Sequence, residues 1–102
     1  MIRELTIPPD AHSAQQAIEV CRGWVIDGCL QCSIFPTLWK DDPGIWGVLL
    51  GDLANHISNA IAEETGQARV EIYKRICEIL IVELKTPSDK HEGTFVEDNE
   101  NT

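Results

Sequence analysis

Two cysteines, Cys29 and Cys32, have the spacing of a metal knuckle or of a thiol redox pair. They lie in a stretch predicted to be a β-strand, where positions three residues apart point to opposite faces. A redox pair also needs a helix N-terminus that activates its first thiol, and no helix is predicted to begin here. We therefore predict no metal and no cofactor, and we interpret Cys21, Cys32 and Cys77 as small packing side chains.

A second candidate site lies on the predicted central helix, where His56 follows Asp52 by four residues. This spacing places both side chains on one side of the helix, so the carboxylate can orient the imidazole. Together with the hairpin, they would form a small pocket for an anionic ligand or for acid–base chemistry. The candidate pocket consists of Arg22, Trp24, Trp46, Asp52 and His56.

Catalytic signatures are missing from the sequence around this candidate pocket. It has no neighbouring nucleophile, no Gly-rich phosphate loop, no specific carboxylate pair and no three-ligand metal set. We assign no catalytic residue. The competing interpretation of His56 is an exposed helix face or a hydrogen-bonded structural histidine.

The hairpin that would supply part of this pocket is predicted from Asp27-Gly28, a dipeptide that favours the two positive φ angles of a two-residue turn. This turn pairs Ile26 with Cys29 and gives a hairpin over about residues 17–35. One face is then apolar or small throughout: Cys21, Gly23, Val25, Leu30, Cys32 and Ile34. Residues 14–25 can also be written as a helix, but Gly23 would interrupt it, so we favour the strand.

Two helices are predicted after the hairpin, over about residues 43–64 and 67–85. Asp42 and Pro43 are typical of a helix start, and Gly66 is typical of a helix end. The first helix carries a large apolar stripe, expected to cover the hairpin, and a neighbouring stripe of small residues suited to a tight helix crossing. The large stripe consists of Trp46, Leu49, Leu50, Leu53, Ile57, Ala60 and Ile61.

The second helix is apolar over an unusually wide arc, with a line formed by Ile72, Ile76 and Ile79 beside another that runs from Val70 to Leu84. A two-stranded hairpin under two helices cannot bury both lines. The fold class is therefore predicted to be α+β, with the hairpin packed against two helices and the fold completed by dimerisation. Ile72, Ile76 and Ile79 are the candidate interface.

Charge and chain length limit the function. The 102 residues carry a formal net charge of −9, which disfavours nucleic acid and anionic membranes as partners. We predict one domain over residues 1–86 and an acidic, disordered tail over residues 87–102. No secretory signal pattern and no apolar run long enough for a membrane span are present, which favours a cytoplasmic protein whose four cysteines are thiols.

Three segments of the chain resemble a known family: Ile7-Pro8-Pro9, residues 19–28 and residues 41–57. The most distinctive is Asp41-Asp42-Pro43 followed by Trp46-Gly47, Asp52 and His56. Over about residues 5–86 the chain resembles a small family of uncharacterised bacterial proteins, domain of unknown function 5076. The resemblance implies a short bacterial cytosolic protein, and it implies no activity, cofactor or site residue.

Two functional classes follow from these observations. The first is a non-catalytic protein-interaction module that binds a second copy of itself or an unidentified protein. The second is a small-ligand-binding protein or minor enzyme with a pocket around Asp52 and His56. The wide apolar arc of the last helix and the mixed face of the hairpin favour the first.

Overall fold

The computed structural model describes residues 1–86 and the backbone of residues 95–97. The elements are α1 (Asp10–Ser13), β1 (Cys21–Ile26), β2 (Cys29–Ile34), α2 (Gly44–Thr65), α3 (Arg69–Lys85) and β3 (Phe95–Glu97). Residues 1–35 and 95–97 belong to one compact unit, the hairpin unit. Residues 36–86 belong to a second, the helical unit. The predicted α+β class is confirmed.

The Asp27-Gly28 turn forms as predicted and sets the pairing of β1 with β2. Both residues have positive φ angles, 49° at Asp27 and 86° at Gly28, which L side chains other than Asn and Asp rarely adopt. The strands pair antiparallel from Ile26↔Cys29 to Cys21↔Ile34, so the predicted register is confirmed. The helical alternative for residues 14–25 is wrong, although β1 begins at Cys21 rather than at about residue 17.

A third strand lies on the other side of β2. The sheet order is β1-β2-β3, and β3 pairs with β2 in parallel, with Ser33 opposite Val96. No element was predicted for these three residues, because a three-residue strand is too short to show a periodic pattern. The prediction of a disordered tail otherwise concerns residues 87–94 and 98–102, which lie outside the described residues.

Local signals mark both ends of α2. The Asp42 carboxylate accepts a hydrogen bond from the Gly44 backbone N–H at 3.2 Å, so it satisfies one of the amides that have no partner inside the helix. Pro43 stands just before the first helical residue. At the other end Gly66 has φ 76° and its N–H donates to the Ala62 carbonyl, as a left-handed helix end requires.

The contact between α2 and α3 uses the small residues of α2. Ala54 is 8% exposed and Ser58 is fully buried; the Ser58 hydroxyl donates to the Ala54 carbonyl at 2.8 Å. The predicted tight crossing is located at these two residues, whereas no atom lies within 4 Å of a Cβ built on Gly47 or Gly51. Small side chains here let α3 approach the backbone of α2 closely.

The large apolar stripe of α2 is not the buried face that the sequence analysis expected. Leu50 is 56%, Leu53 45% and Ile57 39% exposed. Trp46, Leu49 and Ile61 are half-buried. Periodicity identified the stripe correctly but could not show which of the two neighbouring stripes is covered.

Candidate functional site

A cleft in the hairpin unit contains two of the five predicted pocket residues, Arg22 and Trp24. Its volume is about 710 Å³, and the N-terminal segment and β1 line it. Both residues are half-buried, and they lie two positions apart on the same face of β1. The apolar walls come from the N-terminal segment and from the chain before β1, including Leu5, Ile7 and Ile18.

The charge of Arg22 is already compensated inside this cleft. Its guanidinium donates to Glu19 Oε2 from Nε at 3.1 Å and from Nη2 at 3.0 Å, and Nη1 donates to Glu4 Oε2. Hydrogen bonds to Glu19 and then to Glu4 raise the pKa of Arg22 above its ordinary value. Two carboxylates already bond to this guanidinium, so Arg22 is not free to bind the anionic ligand that was predicted for this pocket.

The other three predicted pocket residues belong to the helical unit. Asp52 and His56 are both exposed on α2, and no hydrogen bond or ion pair among the described residues uses either side chain. The expected pairing of the carboxylate with the imidazole is therefore not formed. Trp46 instead packs edge-to-face against Trp39, with ring centroids 5.1 Å apart and an interplanar angle of 74°.

A polar cluster that the sequence analysis missed joins α3 to α2. Arg69 donates from Nε to Asn59 Oδ1 and from Nη2 to Asn55 Oδ1, both at 2.5 Å. Its guanidinium carbon also lies 5.5 Å from the centroid of the Tyr73 ring. Asn55 and Asn59 are four residues apart on one side of α2, a spacing that could have indicated a shared partner.

Tyr73 is also linked to its own helix. Hydrogen bonding to Cys77 raises the pKa of the Tyr73 hydroxyl, and the positive charge of Arg69 opposes this effect. Tyr73 therefore stays neutral at physiological pH. The cluster orients the two helices rather than presenting a reactive group.

The cysteines of the hairpin are divided between two faces. The register places Cys21 and Cys32 on one face and Cys29 on the other, and all four cysteines of the chain are free thiols. Burial, and secondarily the neighbouring Cys21, raises the pKa of the Cys32 thiol. This is the opposite of the lowered pKa that activates a redox nucleophile. Among the described residues, no group of three or more His, Cys, Asp or Glu side chains could hold a metal ion.

Exposed apolar side chains are the dominant surface feature of the helical unit. Four large apolar residues of α2 and six of α3 are at least 39% exposed. Those of α2 are Val48, Leu50, Leu53 and Ile57. Those of α3 are Val70, Ile79, Leu80, Ile81, Val82 and Leu84.

Arg69 and the helical periodicity divide the surface of α2 into two sides. Asn55, Asn59 and Tyr73 lie on the side that Arg69 bridges. On α2, helical spacing places the large apolar stripe on the side opposite Asn55 and Asn59, whereas on α3 Ile72 and Ile76 follow Arg69 by three and seven residues and lie on its side of the helix. We call the exposed part of the α2 stripe together with the isoleucine line of α3 the isoleucine flank; it consists of Leu50, Leu53, Ile57, Ile72, Ile76 and Ile79. Ile72 and Ile76 are half-buried, and Ile79 is 43% exposed.

The described part of the chain has no helix that could cross a membrane. Neither α2 nor α3 combines the length and the apolar composition that a crossing would need.

These features define a small α+β protein with a β-hairpin unit and an α-helical hairpin unit. The chain belongs to the family described as a domain of unknown function (DUF5076), whose model matches residues 4–88. A search of curated proteins finds no match.

A solved structure is also similar to this chain. It is described as that of "a putative pyruvate dehydrogenase from the photosynthetic bacterium Rhodopseudomonas palustrus CGA009". The two chains are 34% identical with a TM-score of 0.69, and the match covers 90% of this chain and 93% of the other.

Proposed function

We propose that this protein is a non-catalytic, homodimeric interaction module of the bacterial cytoplasm, in which a second copy covers the isoleucine flank. The main observation behind the proposal is that α2 buries small residues and leaves large apolar residues exposed. Its contact with α3 buries an alanine and a serine, while Leu50, Leu53 and Ile57 stay at least 39% exposed.

The energetic reason is the hydrophobic effect. Fully burying one Leu or Ile side chain is worth about 1.5 to 3 kcal/mol, and the flank has six such residues, partly exposed. Two antiparallel helical hairpins that pack on each other form a four-helix arrangement with a shared apolar core. Covering the flank in this way gives an isologous contact, in which each copy presents the same surface.

Self-pairing is also compatible with the charge of the chain. The formal net charge is −9, but the six residues of the isoleucine flank are uncharged. Polar residues of α3 such as Lys74 and Glu78 lie outside it. An apolar patch bordered by charged residues is typical of a protein–protein contact.

The test uses two substitutions of one residue type on one helix. Ile79→Glu places a charge on the isoleucine flank, whereas Ile81→Glu places the same charge on the other side of α3. The two side chains are similarly exposed, at 43% and 52%, so neither substitution should unfold the helix. By sedimentation velocity we expect Ile79→Glu to be a folded monomer and Ile81→Glu to remain a dimer.

Equal behaviour of the two variants would contradict an interface on this flank. A wild-type protein that is monomeric at all working concentrations would contradict the homodimer altogether. That outcome would favour the alternative, a small-ligand-binding protein, and the cleft beside Arg22 and Trp24 would then be the place to search for the ligand. The dehydrogenase description of the solved relative is not carried over, since the geometry of the described residues singles out no catalytic group.

A further inference from the structure

The outer edge of β1 has free backbone groups at regular intervals. The Phe35 N–H donates to the Val20 carbonyl at 3.0 Å, so position 20 belongs to a hydrogen-bonded pair, and such pairs alternate along an antiparallel ladder. Positions 22, 24 and 26 therefore bond to β2. The backbone groups of Cys21, Gly23 and Val25 point outward, and they bond to no other described residue.

The N-terminal segment lies across the cleft from Cys21, Gly23 and Trp24, but among the described residues β1 has none of the other features that usually protect an edge strand. Natural edges are blocked by Pro, by Lys, by a bulge or by another element. The sequence Cys21–Ile26 has neither Pro nor Lys, and its pairing with β2 runs without a bulge. Its one charged residue, Arg22, is held by Glu4 and Glu19. The other side of β2 is occupied by β3, so β1 is the unpaired edge of the sheet among the described strands.

The edge is complementary to itself. If two β1 strands pair antiparallel about a two-fold axis at Gly23, then Cys21 lies opposite the partner's Val25 and each Gly23 lies opposite the other. In this register all the outward groups of positions 21, 23 and 25 fall in hydrogen-bonded pairs. A shift of the axis by half a residue would leave some of these groups unpaired.

The side chains agree with the same register. Glycine at the two-fold axis removes the one position where identical side chains would face each other. Val25, which is 75% exposed, gains a neighbour on the apolar face in the partner's Cys21. On the other face Arg22 lies opposite the partner's Trp24, and a guanidinium beside an indole ring is a favourable cross-strand pair.

We propose that two copies of this chain pair through the free edge of β1, antiparallel and with Gly23 on the two-fold axis, which joins their sheets into one. This inference rests on the proposed homodimer and names a surface of it in the hairpin unit. It differs from the isoleucine flank, so the two surfaces can be tested separately.

The variant that tests the edge is Gly23→Pro, with Gly23→Ala as its control. The Gly23 N–H points away from β2, so proline removes a donor from the edge without removing one from the β1–β2 ladder. Alanine keeps the donor, and a Cβ at this position would meet Leu30 and Cys32 at ordinary contact distances of 3.7 and 3.8 Å. By sedimentation velocity we expect Gly23→Pro to raise the dissociation constant at least about tenfold relative to Gly23→Ala.

A measurement on the wild-type protein tests the edge pairing even if proline disturbs the fold of β1. Hydrogen exchange followed by NMR should show the amides of Cys21, Gly23 and Val25 protected in the assembled protein and exchanging freely after dilution. An assembled wild-type protein whose three amides exchange freely would overturn the edge pairing and leave the homodimer intact. A wild-type monomer at every concentration would overturn both proposals.

Discussion

Arg69 shows how a single side chain can fix the geometry of two helices. It bonds to Asn55 and Asn59 of α2 and lies over the ring of Tyr73 on its own helix. The small buried contact at Ala54 and Ser58 does little to resist sliding of one helix along the other. The two hydrogen bonds, which both point across the crossing, therefore define the register of α3 against α2.

Replacing Arg69 tests this role. We expect Arg69→Ala to lower the free energy of unfolding by about 1 kcal/mol, because two charge-assisted hydrogen bonds at an exposed site are lost. The measurement is urea unfolding followed by circular dichroism at one fixed protein concentration, since dissociation and unfolding are coupled in a dimer.

Arg75→Ala is the matched control for Arg69→Ala. Arg75 is on the same helix, is 72% exposed and reaches only Glu78, at 3.6 Å. An exposed ion pair of this kind is worth less than about 0.5 kcal/mol. If both variants lose the same stability, Arg69 acts only through helix propensity or charge.

At the scale of elements, local turn chemistry determines where strands and helices begin and end. Asp27-Gly28 closes the hairpin, Asp42 bonds to the first turn of α2, and Gly66 ends that helix. Each signal acts within four residues, so it does not depend on what packs nearby. The sequence therefore predicted these boundaries to within a few residues, although the stretch before β1 was assigned too early to the strand.

Two glycines of the helical unit should respond in opposite ways to alanine. Gly66→Ala is expected to lower the free energy of unfolding by about 1 to 2 kcal/mol, because a Cβ is strained at its φ of 76°. Gly51→Ala is expected to raise it by about 0.5 to 1 kcal/mol, because Gly51 lies inside α2 with open space around the added methyl group. Thermal or urea unfolding would measure both.

A loss of stability in Gly51→Ala would show that another backbone approaches α2 there. That result would extend the tight crossing beyond Ala54 and Ser58 towards the N-terminus of the helix. A neutral result at Gly66 would mean that the end of α2 adjusts to a conformation without the positive φ.

For the whole molecule, the balance between apolar surface and negative charge decides association. Two copies that each carry a formal charge of −9 repel one another, while the isoleucine flank and the edge of β1 attract mainly through uncharged groups. We expect added salt to strengthen the dimer. Raising NaCl from about 50 mM to about 500 mM shortens the Debye length severalfold and should lower the dissociation constant.

Sedimentation at the two salt concentrations is the measurement, and the Ile79→Glu variant is the control, since it should stay monomeric in both. A dimer that weakens with salt would point to ion pairs across the interface instead of apolar contact.

The candidate site was less predictable than the elements. Arg22 and Trp24 were predicted to lie beside Asp52 and His56 on the basis of residue type. Arg22 instead bonds to Glu4, which is 18 residues away in the chain, and the side chain of His56 bonds to no other described residue. Pairs of side chains that are distant in the chain depend on the path of the backbone between them, and a local sequence pattern does not predict that path.

The sequence by itself determined the α+β class, the hairpin register, the ends of the long helices and the existence of two apolar lines on α3. These features follow from backbone conformational preferences and helical or strand periodicity, which act over a few residues. Only the tertiary structure decided which stripe of α2 is covered, how Arg22 and Arg69 are paired and which strand edge is left open. The physical reason is that burial and long-range pairing depend on how distant elements approach, which a periodic pattern leaves undetermined.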